Sequence, residues 1–305
     1  MRLAMPFRRP FAALEEGLRE AGCEIDRQWR KQKVDAVVVD FCDAVRWPMR
    51  TWQLRCGIGR ATPLLAIARD APWHKGLRRS RLWLNERLKP FDIYATHSMQ
   101  QAERQGRQAL YLPNAARISE YGLGARTLAS LREVSACRYQ VSFIGNVDAE
   151  RYPEHRPRLE FLRALKERLG REKISLSLID SARGLPVAEQ IDIIQSSLIN
   201  LSHGAACDRG GEVSWGLPER CYGIPACGGF LLSDRRRHAA DDFIPEREWA
   251  DYADLESCVA QIKRYLARPD EARRIAEAAH ACVMRRHTYR HRAQTLIDSI
   301  AQWKS

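Results

Sequence analysis

Leu217-Pro-Glu-Arg-Cys-Tyr-Gly-Ile-Pro-Ala-Cys-Gly-Gly-Phe-Leu-Leu-Ser-Asp234 sets a helix opening directly before a short apolar run. Pro218 suits a first helical turn, where a missing N–H breaks no bond, and Gly229–Ser233 reads as a strand buried on both faces. Working outward, the same alternation recurs. Upstream come a strand and turn at Tyr139-Gln-Val-Ser-Phe-Ile-Gly-Asn, a helix over Arg158–Leu169, a strand over Ile174–Ile179, a helix over Val187–Ser196 and a strand over Leu198–Leu201. Downstream the chain is helical from Asp254 to Trp303, with a break at Arg268-Pro269 and a new start at Asp270 and Glu271. The first half follows the same rule, with strands predicted over Arg2–Met5, Val34–Asp40, Thr62–Ala68, Asp92–Thr96 and Ala109–Leu112. A helix over Phe11–Ala21 is stopped by Gly22. Continuous apolar strands separated by helices predict parallel sheets covered on both faces. The expected architecture is therefore α/β, with two doubly wound Rossmann-like domains. Residues 1–137 form the first and 138–286 the second, followed by a helix over 287–305.

The 305 residues suit two such domains, and 45% hydrophobic with 29% charged residues is the balance of a globular protein. Apolar runs such as Val37–Val39 and Phe230–Leu232 are far shorter than the roughly 20 residues a membrane span needs. The first ten residues lack the apolar core of a secretory signal, so a cytoplasmic protein is expected. Nine scattered cysteines without a C-x-x-C pair argue for reduced thiols and against a zinc knuckle or redox pair.

Charge is unevenly spread. Residues 1–137 hold 24 Lys and Arg against 14 Asp and Glu, most of the total net charge of +12. Between Arg46 and Lys89 eleven basic residues face only Asp70 and Glu86. Within that stretch Trp73–Lys89 reads as a basic amphipathic helix, with Leu77, Leu84 and Leu88 at helical spacing among Arg78, Arg79, Arg81 and Arg87. Three readings suit it: a solvated face on a helix packed through its leucines, a contact with an anionic membrane, and a nucleic-acid surface.

In doubly wound sheets ligands bind beyond the carboxyl ends of the strands. That rule singles out Arg8 and Arg9 in the loop Pro6–Pro10, Asp40, Asp70, His74 and His97 in the first domain. In the second it singles out Gly145, Asn146, His203 and the loop carrying Arg209 and Glu212. The free amides and dipole of the helix after that loop, with Arg209 and Arg220, make an anion site suited to a phosphate or diphosphate.

Arg220-Cys-Tyr-Gly-Ile-Pro-Ala-Cys-Gly-Gly-Phe-Leu-Leu-Ser-Asp resembles the donor-site helix and strand of glycosyltransferases of the GT-B fold, and specifically the CgeB-like glycosyltransferases. Val141-Ser-Phe-Ile-Gly-Asn, Arg158, Leu198-Ile-Asn-Leu, Phe243, Tyr252-Ala-Asp-Leu-Glu, Tyr265-Leu-Ala-Arg-Pro, Arg274-Ile-Ala and His287-Thr-Tyr-Arg-His-Arg follow the same order, so the resemblance covers residues 139–295. It implies two domains facing a cleft, with the helix over 287–305 returning to the first, and transfer of a sugar from a nucleotide-sugar held mainly by the second. The acceptor, a glycan, lipid-linked or protein, lies on the first. No bound metal or other cofactor is implied. Gly145 and Asn146 would approach the donor and Arg220 its phosphates, with Arg158 and Arg209 as neighbouring candidates. His203 would border the donor, and Gly228 and Gly229 would allow close packing. An inverting enzyme would draw a general base from Asp40, Asp70 and His97, with Arg8, Arg9 and His74 on the acceptor side.

The sequence departs from the family at one point. Related enzymes carry a ribose-binding glutamate three residues after the arginine, where this chain has Gly223, and Trp215 stands at the companion position. Glu212 and Glu219 are close but out of register. Two further readings stay open on that ground and on the basic first half: a nucleotide- or glycan-binding protein without catalysis, and a protein that binds or modifies nucleic acid.

Overall fold

The computed structural model describes residues 1–6, 11–27, 33–69, 77–151, 155–181, 184–204 and 215–304. They form two compact units. The first takes Met1–Asn114 together with Tyr289–Ser305, and the second holds the described residues between Ala115 and Thr288. Residues 115–137, which precede the boundary read from the sequence, belong to the second unit.

The first unit is built on a six-stranded sheet in the order β2-β1-β3-β4-β5-β6, every pairing parallel. Its strands are β1 (Arg2–Ala4), β2 (Glu24–Asp26), β3 (Ala36–Asp40), β4 (Leu64–Ala68), β5 (Ile93–Thr96) and β6 (Gln108–Tyr111). Successive side chains point to opposite faces, so each unbroken apolar run feeds two cores. Val38, Leu65, Ile67 and Ile93 pack under α1 (Ala12–Glu20) and α11 (Tyr289–Lys304). Val37, Val39, Leu64 and Ala66 pack under α2 (Phe41–Arg46), α3 (Pro48–Ile58) and α4 (Arg79–Leu88). Leu14 and Leu18, one turn apart, are the buried stripe of α1, and Ala293, Leu296 and Ile300 that of α11.

Three elements of this unit went unread in the sequence, and one expectation is corrected. Edge strand β2 was not expected, because Glu-Ile-Asp is too short and polar to register as a strand. Helices α2 and α3 were not expected either. The signals that form them are the Asp40 side chain accepting from the Asp43 amide at α2 and Pro48 in the first turn of α3. The described part of the Trp73–Lys89 stretch is helical only from Arg79.

The second unit carries a five-stranded parallel sheet, ordered β11-β10-β9-β7-β8. Its strands are β7 (Tyr139–Gly145), β8 (Leu176–Asp180), β9 (Ser197–Ser202), β10 (Leu231–Asp234) and β11 (Ala250–Tyr252). One face is covered by α5 (Arg156–Arg171), α9 (Leu255–Ala267) and the start of α10 (Pro269–Arg286). The other lies against α6 (Val187–Gln195), α7 (Arg220–Ala226) and the rest of α10, near α8 (Ala239–Asp242). The helical C-terminal stretch breaks twice, at Arg268-Pro269 as expected and again at His287-Thr288. Element α8 and strand β11 were not expected. Both units are thus doubly wound.

Candidate functional site

Sheet order places the second unit's switch point between β7 and β9, from which the chain leaves toward opposite faces. Open α/β sheets bind ligands beyond the carboxyl edge at such a point. A cavity of about 250 Å³ opens there, lined by Ile144 and Gly145 of β7, Asn200 and Leu201 of β9, Gln190 and Ile194 of α6, and Pro218, Glu219, Arg220, Gly223 and Ile224 at α7. Arg117 and Tyr121 close it from the segment before β7.

Arg220 ties two of these elements together. Its Nη1 donates to the Ile144 carbonyl at 2.9 Å, and the guanidinium lies over the Phe143 ring, 5.5 Å from the centroid. The strand end reaches this close only because residue 145 has no side chain, since a β-carbon there would stand 2.9 Å from both Arg220 Nη1 and the Phe143 ring. Glu219 precedes Arg220 and faces the same cavity as Gly223, one helical turn on. The Tyr121 ring lies 3.9 Å from where a β-carbon on Gly223 would be, and its hydroxyl donates to Gln190 Oε1 at 2.9 Å. Burial, and then the Glu219 carboxylate, push the Tyr121 phenol above its ordinary range. The cavity therefore combines a guanidinium, a carboxylate, a phenol and a carboxamide on apolar walls, the chemistry suited to a small polar ligand with an anionic tail.

A second cluster stands at the same edge. Arg158, buried on α5, donates through Nη1 to the Asn146 carbonyl at 3.0 Å and through Nη2 to the Gly204 carbonyl. It thereby clamps the loops that leave β7 and β9. Asn146 uses its side chain in a local turn, accepting from the Asp148 amide at 2.8 Å. The His203 ring is stacked on Phe161 with centroids 3.6 Å apart and planes 2° apart. Tyr252 donates its hydroxyl proton to the Ser202 carbonyl at 2.8 Å, so His203 Nδ1 donates to the Tyr252 oxygen at 2.9 Å. Desolvation pushes the imidazole pKa down to about 4; Arg158 and Arg236 act in the same direction and Asp234 against it. At neutral pH His203 is therefore an uncharged ring with its proton on Nδ1 and a lone pair on Nε2. Asp234 itself is held by both Nη2 bonds of the buried Arg236, at 2.8 and 3.1 Å.

The structure thus brings Gly145, Glu219 and Arg220 into one cavity and sets Asn146, Arg158 and His203 beside it. It does not place Gly228 and Gly229 there. Gly228 is the left-handed residue ending α7 (φ +74°), its amide bonded to the Pro225 carbonyl, and a β-carbon would strike Leu131 at 2.7 Å. Gly229 packs against Ile194 and Asn200 before the amino end of β10. The start of α7 is tighter than the sequence suggested. Element α7 begins at Arg220, and the amides of Cys221, Tyr222 and Gly223 are bonded to the Pro218 and Glu219 carbonyls. In the first unit the Asp40 carboxylate caps α2, and buried His97 approaches the Ala68 carbonyl at 3.5 Å. Arg8, Arg9, Asp70, His74, Arg209 and Glu212 lie outside the described residues.

Tyr121, Gln190 and Arg117 were not among the sequence candidates. Tyr121 and Arg117 sit in irregular chain, where no periodicity marks a face. Gln190 did carry a signal, standing one turn before buried Ile194 on the inward stripe of α6. Among the described residues no group of three or more His, Cys, Asp or Glu is placed to hold a metal ion, and no helix is long and apolar enough to cross a membrane. The eight described cysteines are all free thiols.

Comparison with known proteins bears on the fold and the family. Over 99% of this chain the structure is similar to the whole of Anabaena HepE, solved with UDP and glucose (TM-score 0.62, 10% identity). It is similar over 97% of the chain to 80% of the sucrose-phosphate synthase of Thermosynechococcus elongatus (0.59, 14%). It also matches, over 99% of the chain, 97% of AviGT4, a glycosyltransferase of avilamycin A biosynthesis (0.57, 14%). At such identities these likenesses show the fold, GT-B. A search of curated proteins by sequence gives no match. Residues 125–298, more than half of the chain, match the family model described as glycosyl transferase-like, and the chain belongs to that family.

Proposed function

We propose that the protein transfers a sugar from a nucleotide-sugar donor to an acceptor, and that within its family it is of the CgeB-like type. The observation that carries this reading is the cavity at the β7–β9 edge, where Arg220, Gly145 and Glu219 converge. The nucleoside enters the cavity, with its polar edge met by Glu219, Tyr121 and Gln190. Its diphosphate lies toward the Arg220 guanidinium. When the bond to the sugar breaks, negative charge grows on the departing diphosphate, and a fixed guanidinium on low-dielectric walls stabilises that charge without reorganising. Arg158 holds the two loops that frame the edge, and the His203 Nε2 lone pair accepts a hydrogen bond from a donor hydroxyl. Glu219 supplies, one turn earlier, the carboxylate that Gly223 lacks.

UDP conjugates are the first donors to try, because Anabaena HepE was solved with UDP-glucose. Thermal shift against UDP, GDP, dTDP, CMP and their sugar conjugates tests the proposal. A ligand at 100 times its dissociation constant adds about 2.7 kcal/mol, a shift of several degrees. One nucleotide class is expected to stabilise the protein, and Arg220→Ala to remove that response. No response to any nucleotide, or an equal response in the variant, overturns the reading. Nucleotide binding with neither transfer nor donor hydrolysis would favour the non-catalytic alternative.

A further inference from the structure

Half of the exposed large apolar side chains among the described residues gather on two neighbouring helices of the first unit. They are Trp47 (58% exposed), Met49 (72%) and Trp52 (47%) at α3, and Trp83 (64%) and Leu88 (49%) on α4. Single exposed apolar residues are ordinary, whereas a cluster marks a contact surface. Helix α3 buries only Thr51 and Leu54, so its Met49–Trp52 edge is left outward. A groove of about 140 Å³ between the helices is lined by Met49, Trp52, Arg81, Leu84 and Leu88.

The charge around this face is predominantly basic. Residues 44–69 contain no acidic residue, and Glu86, the only one on α4, accepts from Gln105 at 2.9 Å. On α4 Trp83 has Arg79 four residues before it and Arg87 four after, all exposed on one helical side. Exposed Arg78 and Lys89 stand at the two ends of α4, and exposed Arg60 follows α3 in sequence. Indole rings settle at the headgroup level of a bilayer, and arginines beside them meet lipid phosphates. Flexible Met49 and Leu88 gain from an acyl phase and nothing from base stacking, which separates this face from a single-strand nucleic-acid platform.

We propose that the α3–α4 face docks on the surface of an anionic phospholipid bilayer, peripherally and reversibly. This is a second function of the chain, independent of the sugar-transfer reading. The test is co-sedimentation of the full chain with vesicles of phosphatidylcholine alone and of a phosphatidylglycerol-rich mixture. Binding is expected only to the anionic vesicles, weakening with salt. Arg79→Gln and Arg87→Gln should each lower partitioning by about fivefold. Trp52→Ser with Trp83→Ser should remove the binding that survives at high salt. These positions are exposed, so melting temperatures should match the parent, and the arginine variants stand as an independent check on the tryptophan pair. Equal binding to neutral vesicles, or unchanged binding in both variant sets, overturns the proposal. So does duplex RNA binding with the same residue dependence, or a concentration-dependent dimer abolished by Trp52→Ser; each would assign the face to that partner instead.

Discussion

A β-carbon built on Gly145 would stand 2.9 Å from Nη1 of Arg220, so the end of β7 and the start of α7 are fitted to each other through a missing side chain. The Gly145→Ala variant must displace the guanidinium from the Ile144 carbonyl while leaving the residue itself in place. Nucleotide affinity is expected to fall by about tenfold to a hundredfold, the range for a lost hydrogen bond to a charged group. Isothermal titration with the stabilising nucleotide checks this, and undiminished affinity would detach Arg220 from the site.

Removing the charge altogether is a more severe change. Arg220→Ala is expected to lower transfer on the order of a hundredfold to a thousandfold, the scale for one electrostatic donor to a developing anion. Arg220→Lys keeps the charge but loses the planar fork, and intermediate rates are expected. Steady-state kinetics with both variants separates charge from geometry.

Two glycine-to-alanine changes should move stability in opposite directions. At Gly223 a β-carbon meets Tyr121 at 3.9 Å, an ordinary contact, so the helix-propensity gain of about 0.5–1 kcal/mol should appear as a higher melting temperature. At Gly17 the β-carbon would lie 2.4 Å from the backbone oxygen of Tyr289, and a loss of about 1–3 kcal/mol is expected. Urea titration of the pair measures both signs.

His203 links stability to pH. Its pKa is about 4 when folded and near 6.5 when unfolded, so between those values the unfolded chain binds the extra proton. The contribution is complete above pH 6.5 and is lost as pH falls toward 4, with an upper limit on the order of 3 kcal/mol. His203→Gln should flatten the dependence of melting temperature on pH across that window. An equal slope in parent and variant would mean that another group titrates there.

Much of this molecule was legible in its sequence, and the parts that were not share a cause. Strands such as Val34–Asp40 announced themselves because burial on both faces forces unbroken apolar runs. The carboxyl-edge rule led to Gly145, Asn146 and His203, the helix-start reading to Arg220 and the family resemblance to Arg158, and the fold gathers all five at one edge. Tyr121 was hidden because residues 115–137 have no repeating pattern, and only the tertiary fold brings them against α7. Gly228 and Gly229 carried the right signal of close approach, but their demand comes from Leu131 and Ile194 rather than from a ligand. Helix α3 lacked a clear apolar stripe because it turns tryptophan and methionine outward.

Helix α11 supplies Ala293, Leu296 and Ile300 to a core whose sheet was complete in sequence by Tyr111. Translation proceeds at about 5–20 residues per second, so that sheet waits roughly ten to forty seconds for its missing helix. Throughout that interval the part of this apolar face that α1 does not cover stays open on the nascent first unit. Folding of the first unit is thereby timed by synthesis of the second.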